Sequence, residues 1–414
     1  MLIKKFDLKT SKLINKATTL RLVHVTTVPE TFNFFRGQIN YLKAQGFEVH
    51  AVSSGGGSLI EIGEREAITT HAIDMTRKID PLKDLIALAK LYRLFRGIRP
   101  DIVHANTPKA GLLGVMAARL ARVPVVVYGM RGLRFETGEG LRRGILYSAE
   151  ALTCRLAHRV ICNSFSNRNR AISLGLCQGD KIRVLAQGSS NGVDAAGRFN
   201  PRHLPPTIRP QVRDDYQIPP DALVVGYVGR IVRDKGIAEL EGAWQVLKDR
   251  FTDLFLLLVG PIESHDPVPP QVLDSFQKDP RVRLAGSVRE TAPFYAAMDL
   301  LVLPSYREGL PNTPLEAAAM ELPVVATRVD GCMDAVLDGV TGILIPPHDS
   351  RALADAINRL LRDPEQRRQM GLAGRERVCR DFRPELIWQA LYENYLDLLS
   401  LKQQPFHFQS KSRP

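Results

Sequence analysis

From Arg21 onward the chain alternates short β-branched runs with segments whose apolar residues recur at helical spacing. "RLVHVTT" predicts a strand, "FFRGQINYLKAQG" a helix stopped at Gly46, and "FEVHAVSS" the next strand. The pattern goes on to predict a helix over Pro81 to Gly97, the strand "DIVHAN", a helix over Ala110 to Ala121, the strand "VPVVVYGM", a helix over Gly140 to Ala157 and the strand "HRVICNS". Strands and helices in strict alternation imply βαβ crossovers and a parallel sheet covered on both faces.

Periodicity lapses over Asn200 to Pro220, a Pro- and Arg-rich interval that reads as a linker, and then resumes. Strands are predicted at "ALVVGYVGR", "LFLLLVG", "VRLAG", "LLVLPS", "PVVATR" and "GILIPP", with helices over Gly236 to Asp249, after Asn312 and over Ser350 to Leu361. At 414 residues, two domains are the first expectation. The expected division is a basic arm over 1–20, a first Rossmann-like domain over 21–200, the linker over 201–220 and a second Rossmann-like domain over 221–383. A last helix over 384–400 and a tail over 401–414 complete the chain. Such sheets bind ligands beyond the carboxyl ends of their strands, so the site is expected in the cleft between the halves.

Composition changes the picture only through charge. The net charge of +12 is carried by residues 1–200, which hold 30 Lys/Arg against 15 Asp/Glu, while residues 201–414 hold 26 against 29. A basic first half suggests an anionic partner: a phosphorylated substrate, an anionic membrane or nucleic acid. The last is discounted, because no nucleic-acid-binding signature accompanies the charge. In the helix "PLKDLIALAKLYRLFRG", Leu82, Leu85, Ile86, Ala89 and Tyr92 read as a core-facing stripe with Lys83, Lys90, Arg93 and Arg96 outside, either as an ordinary amphipathic surface helix or with the cations on lipid headgroups. Five cysteines without CxxC spacing favour reduced thiols and a cytoplasmic protein. Neither a secretory signal nor a transmembrane segment is expected.

The chemistry concentrates in "PSYREGLPNTPLEAAAM", Pro304 to Met320, where Glu308 and Glu316 bracket a Gly-Leu-Pro-Asn loop entering a helix. One reading is a capping box, with Thr313 as N-cap, Pro314 at the first helical position and Glu316 three residues after the cap. The other is a nucleotide-sugar cradle: a helix start suits phosphate, and carboxylates accept hydrogen bonds from sugar hydroxyls. "YVGRIVRDKG", Tyr227 to Gly236, adds Arg230 and Lys235 after a strand, where a diphosphate could be held, with Gly229 allowing close approach of backbone. It lacks the GxxxxGK[ST] pattern of a Walker loop.

On these residues, together with "NGVDAAGRF" and "DGVTGILIPPHD", the sequence resembles the retaining glycosyltransferases of family 4 over about Arg21 to Leu399. That family has the GT-B fold, an α/β architecture of two facing Rossmann-like domains with parallel sheets and an interdomain cleft. "HVTTVPETFNFF", "HANTPKAGLLG" and "RGLRFETGEG" are similar to the bacterial branch that extends undecaprenyl-diphosphate-linked sugars, often with N-acetylhexosamines.

The resemblance implies that Arg230 and Lys235 hold the donor diphosphate and meet the leaving group's charge. It further implies that Glu316 binds the ribose hydroxyls, Glu308 lies beside the donor sugar, and the backbone from Gly309 through Leu310 and Pro311 to Asn312 contacts sugar and phosphate. Gly286, Ser287 and Val288 would receive the base. Transfer would proceed with retention, from a nucleotide sugar that this likeness makes UDP-linked, to a lipid-linked or polysaccharide acceptor, with neither metal nor other cofactor expected. The enzyme would work peripherally at the inner face of the cytoplasmic membrane. Two positions depart from the family pattern. Pro29-Glu30-Thr31-Phe32-Asn33 stands where many relatives have a double glycine, and Arg131 stands where many have a histidine at the end of the fourth strand. His104, Arg131 and Arg134 are therefore the candidates for contact with acceptor or sugar. A nucleotide-sugar epimerase of the same fold and a non-catalytic sugar-nucleotide-binding partner are the alternatives.

Overall fold

The computed structural model of the chain describes residues 19–76, 79–137, 139–264 and 266–403; most of the basic arm and of the tail lies outside them. The first run of elements is β1 (Leu20–Val25), α1 (Gln38–Ala44), β2 (Phe47–Ser53), α2 (Gly57–Glu66), β3 (Thr69–Ala72), α3 (Pro81–Ile98) and β4 (Ile102–Asn106). It continues with α4 (Pro108–Leu120), β5 (Val125–Met130), α5 (Gly140–Leu156), β6 (Arg159–Cys162), α6 (Phe165–Ser173) and β7 (Ile182–Val184). These strands form one sheet in the order β3-β2-β1-β4-β5-β6-β7. The pairs from β3 to β5 are parallel, as the crossover helices require.

The second run begins with α7 (Ile208–Asp215), β8 (Leu223–Val228), α8 (Ile237–Lys248), β9 (Leu254–Val259), α9 (Pro270–Lys278), β10 (Val282–Gly286) and α10 (Ala292–Ala297). There follow β11 (Leu300–Leu303), α11 (Asn312–Ala319), β12 (Val324–Thr327), α12 (Cys332–Ala335), β13 (Gly342–Ile345), α13 (Ser350–Arg362), α14 (Pro364–Asp381) and α15 (Pro384–Gln403). The sheet order is β10-β9-β8-β11-β12-β13, every pair parallel. β9, "LFLLLV", is buried along its whole length, which is why it reads as a continuous apolar run rather than an alternating one.

By compactness the chain divides into two units, one drawn from residues 1–129, 148–160 and 391–414 and the other from 130–147 and 161–390. In the first, Tyr395 of α15 shares a hydrogen bond of 2.6 Å with His104. In the second, Trp244, Tyr227, Tyr295 and Phe276 are fully buried around β8, β9 and β11. Helix starts follow their local chemistry. Asp80, Ser164, Asp349 and Asp363 each accept a hydrogen bond from a backbone N–H of the following turn.

Two elements differ from the sequence reading. The interval over 201–220 contains α7, which seats Val212 in the core with Ile208 and Tyr216 packed against it, and which polar contacts also hold. The buried Arg213 guanidinium donates to the carbonyls of Pro220 (2.6 Å), Ala222 (2.8 Å) and Ala297 (3.0 Å) and to Asp299 (3.1 Å). The apolar positions there, Ile208, Val212 and Tyr216, are three in all and stand among Pro, Arg and Asp residues, too few to stand out as a helical pattern. The stripe assigned to α3 is the second correction. Ala87, Leu91 and Phe95 face inward, whereas Leu82, Leu85, Ile86, Ala89 and Tyr92 are exposed. Apolar residues lie on both faces of this helix, and the one that packs is the one that meets α4.

Candidate functional site

In the second sheet the strand order reverses between β8 and β11, so the loops leaving their carboxyl ends open a crevice, the usual place for a ligand in an open α/β sheet. Both motifs singled out from the sequence leave from these two strands. They are tied to each other: the Tyr306 N–H donates to the Asp234 carbonyl (2.9 Å), the Arg307 guanidinium lies 3.6 Å from Asp234, and Lys235 Nζ donates to Glu308 Oε1 at 2.5 Å. The Lys235 and Glu308 side chains are only 15% and 11% exposed, so each is the principal counter-ion of the other.

Gly229 directly follows β8 and Gly260 directly follows β9. A Cβ on Gly260, whose φ is +146°, would lie 1.8 Å from the Gly229 carbonyl oxygen, so two bare backbones meet at the strand ends. The Tyr227 hydroxyl pins the turn by donating to the Arg230 carbonyl (2.7 Å). The Arg230 side chain, partly exposed, pairs with Glu263 at 3.1 Å. Gly286 follows at the end of β10, and beyond it Ser287 is exposed and Val288 half-buried.

The Glu308 loop is gripped from its other side by residues of α6. Asn167 Nδ2 donates to the carbonyls of Gly309 (2.6 Å) and Glu308 (3.2 Å). Ser166 accepts from the Gly331 N–H (2.7 Å) and bonds Asp334 through both its backbone N–H (2.9 Å) and its hydroxyl. Gly309 is required by close approach, since a Cβ there would stand 2.0 Å from the Arg131 carbonyl oxygen and 3.0 Å from Asn163 Nδ2. Leu310 and Pro311 are buried, the Leu310 side chain lying against Gly188.

The capping-box reading is corrected. α11 begins at Asn312 rather than after Thr313, Pro311 occupies the cap, and no side chain caps the helix. Glu316 thus lies beyond capping reach and instead accepts a hydrogen bond of 2.9 Å from the buried Tyr295 hydroxyl. Burial pushes the Glu316 carboxyl above its ordinary pKa, while the Tyr295 hydrogen bond and the charge of Arg198 pull it back. Arg198 itself pairs with Glu290 at 2.8 Å.

Arg131 belongs to this neighbourhood through its backbone, and burial pushes its guanidinium down to about 10. Arg134 is exposed on a short 3-10 turn, Arg134–Thr137. His104 lies within β4 rather than at its end, buried and bonded to Tyr395. Among the described residues no group of three or more His, Cys, Asp or Glu could hold a metal ion.

Sequence reasoning passed over Asn167, Ser166, Tyr295 and Glu263. The first three carry no local signal, since each acts on a partner between 21 and 168 positions away. Glu263 was accessible in principle: "GPIE" follows a strand with a glycine at its end, as "GR" does at Arg230.

Comparison with known proteins places these features in context. The profile described as "Glycosyl transferases group 1" matches residues 222–363, and that described as "Glycosyl transferase 4-like domain" matches residues 33–188. The chain is 35% identical over 376 residues to the capsular polysaccharide biosynthesis glycosyltransferase CapM of Staphylococcus aureus, covering 91% of this chain and 96% of that protein. It is 25% identical over 350 residues to the UDP-Gal:alpha-D-GlcNAc-diphosphoundecaprenol alpha-1,3-galactosyltransferase of Escherichia coli, covering 83% and 88%. The structure of Anabaena HepE in complex with UDP and glucose aligns with a TM-score of 0.74 at 21% identity, over 91% of this chain and 99% of that one, a likeness of fold.

Proposed function

The chain belongs to the glycosyl transferase group 1 family and is a glycosyltransferase of GT-B fold, and from that premise we propose that it moves a hexose or N-acetylhexosamine from a UDP-sugar to a polyprenyl-diphosphate-linked acceptor, with retention, in cell-surface polysaccharide assembly. The observation that carries the reading is the Lys235–Glu308 pair at the switch point, beside the start of α11 and within one stitched pair of loops. UDP in the HepE complex and the UDP-linked donor and diphosphoundecaprenol acceptor named for the Escherichia coli relative support the choice of donor and acceptor. The second half binds the donor and the first half the acceptor, at the inner face of the cytoplasmic membrane.

In this reading Arg230 leaves Glu263, and Lys235 turns from Glu308, to meet the donor diphosphate. Once donor binding has drawn them there, positive charge stands where negative charge develops and lowers the barrier with no further reorganisation at the moment of reaction. An acceptor hydroxyl oxygen attacks the anomeric carbon on the face the leaving group departs from. The bond from that carbon to the β-phosphate oxygen breaks, its electron pair stays with UDP, and the hydroxyl proton passes to the departing phosphate oxygen. Glu308 orients the donor sugar, Glu316 accepts from the ribose hydroxyls, the backbone of Gly309 to Asn312 contacts sugar and phosphate, and Gly286, Ser287 and Val288 border the base. Arg131 or Arg134 meets the acceptor diphosphate. The two cations do the work that a metal would otherwise do.

The test is transfer of label from a panel of UDP- and GDP-sugars into the lipid fraction of bacterial membranes, with Glu308→Ala as control. Label entering lipid from one UDP-sugar, and absent with the variant, is the expected result. Donor binding without label in lipid would overturn the lipid-acceptor reading, and label from a GDP-sugar alone would overturn the carrier.

A further inference from the structure

α3 is a two-faced apolar helix with one face unpartnered. At about 100° per residue, Ala87, Leu91 and Phe95 centre on the buried side, and Leu82, Ile86 and Ala89 lie on the side opposite. Leu82 is 76% exposed, Leu85 63% and Ile86 56%; Tyr92 continues the stripe, and Ile79 stands exposed just before the helix. Along a helix this stripe from Leu82 to Tyr92 runs about 15 Å. Contiguous large apolar side chains in water mark a surface that something covers.

The charges around the stripe identify the occupant. Lys83 and Lys90 flank it on one side, and Arg93 and Arg96 continue the same face toward the C-terminal end, all four exposed. Of the neighbouring carboxylates, Asp84 is held by Lys109 at 2.6 Å, and Asp80 both caps the helix and pairs with Lys83 at 3.3 Å, so Lys90, Arg93 and Arg96 give the face its cationic character. Apolar side chains projecting from a helix, bordered by Lys and Arg, are what an interfacial helix offers to an anionic bilayer: the apolar residues enter the acyl boundary and the cations stay with the headgroups. No helix among the described residues is long and apolar enough to cross a membrane.

We propose that the exposed face of α3, from Leu82 to Arg96, docks the enzyme on an anionic lipid bilayer, with Leu82, Leu85 and Ile86 inserted and Lys90, Arg93 and Arg96 on the headgroups. The proposal deepens the preceding reading, in which the acceptor is membrane-anchored, by naming the surface that meets the membrane.

The experiment is flotation of the full chain with vesicles of phosphatidylglycerol and phosphatidylethanolamine, against vesicles of phosphatidylcholine, with no acceptor present. Binding is expected to the anionic vesicles only and to weaken as salt is raised. Replacing Leu82, Leu85 and Ile86 together by Ser should weaken it at least about tenfold. Replacing Lys90, Arg93 and Arg96 by Gln should remove its salt dependence. Ile86→Trp, a single exposed position, should add an indole emission that shifts to the blue on vesicles and is quenched by brominated lipid. All variants are expected to retain wild-type affinity for UDP, because none touches the donor site. Equal binding by the Leu/Ile variant, or an added emission in Ile86→Trp that vesicles leave unmoved, would overturn the proposal. So would a dimeric wild type that becomes monomeric in the Leu/Ile variant, which would assign the face to a second copy of the chain. Transfer to a water-soluble acceptor without vesicle binding would sink the docking surface alone, and vesicle binding without transfer from any donor would sink the enzymatic reading alone.

Discussion

Replacing Lys235 by Met removes the cation that the proposed mechanism places on the leaving diphosphate, and at the same time strips Glu308 of its partner. With Nζ and Oε1 2.5 Å apart, the attraction at an effective dielectric constant of about 20 is roughly 7 kcal/mol, much of it offset by the desolvation of both groups. Breaking a fully buried pair costs about 3–5 kcal/mol; because both side chains retain some contact with water, a loss of about 3 kcal/mol is expected. For a unit of this size that is a fall in Tm of about 6–12 °C. The expected fall in kcat is about 100- to 1,000-fold, the cost of removing one preorganised charge from a transition state. The two effects separate in the double variant Lys235→Met/Glu308→Gln. The neutral pair should recover most of the lost Tm, whereas turnover should stay as low as in Lys235→Met, while Glu308→Gln alone should stay within about tenfold of wild type. Differential scanning calorimetry and steady-state transfer to a water-soluble acceptor measure both. Recovery of turnover in the double variant would refute the assignment, because it would mean that Lys235 serves only to neutralise Glu308.

Asn167→Ala should lower kcat/KM about tenfold while leaving affinity for UDP alone within about twofold, since it frees the carbonyls of Glu308 and Gly309 and touches no nucleotide; an unchanged kcat/KM would dismiss its positioning role. Tyr295→Phe removes the donor that pulls down the raised pKa of Glu316. If the carboxylate binds ribose, donor affinity is lost as pH falls through that pKa, and the midpoint should move upward in the variant; coincident pH profiles of Kd would contradict this. Glu150, buried and accepting from the Tyr128 hydroxyl at 2.7 Å, has its pKa raised by burial to about 7. The folded state therefore binds a proton that the unfolded chain has released, and this contribution is complete below about pH 4.5 and lost as pH rises through about 7. Relative to Glu150→Gln, the wild type should lose up to about 3 kcal/mol across that window, and parallel stability curves would exclude the effect. Finally, EDTA should leave transfer unchanged. Abolition by EDTA with rescue by a divalent cation would show that Arg230 and Lys235 do not suffice for the leaving group.

The chain by itself determined the α/β alternation, because strand and helix periods are written in consecutive residues and need no partner to be read. It also determined that Arg230, Lys235 and Glu308 stand in the loops leaving the carboxyl ends of strands, since each loop follows directly on an apolar run. The strand order did not follow from the sequence, and it is the reversal between β8 and β11 that makes neighbours of the two loops. Three further matters were decided only in the tertiary structure. α3 carries two apolar faces of similar character, and nothing local says which will meet α4. α7 is held by Arg213 through carbonyls that lie as far off as Ala297, a device invisible to hydrophobic periodicity. Glu316 has the spacing of a capping residue, yet α11 starts at Asn312 and Tyr295 supplies a better partner. In each case competing options of comparable local energy are separated by a contact distant in sequence, and such contacts exist only once the chain has folded.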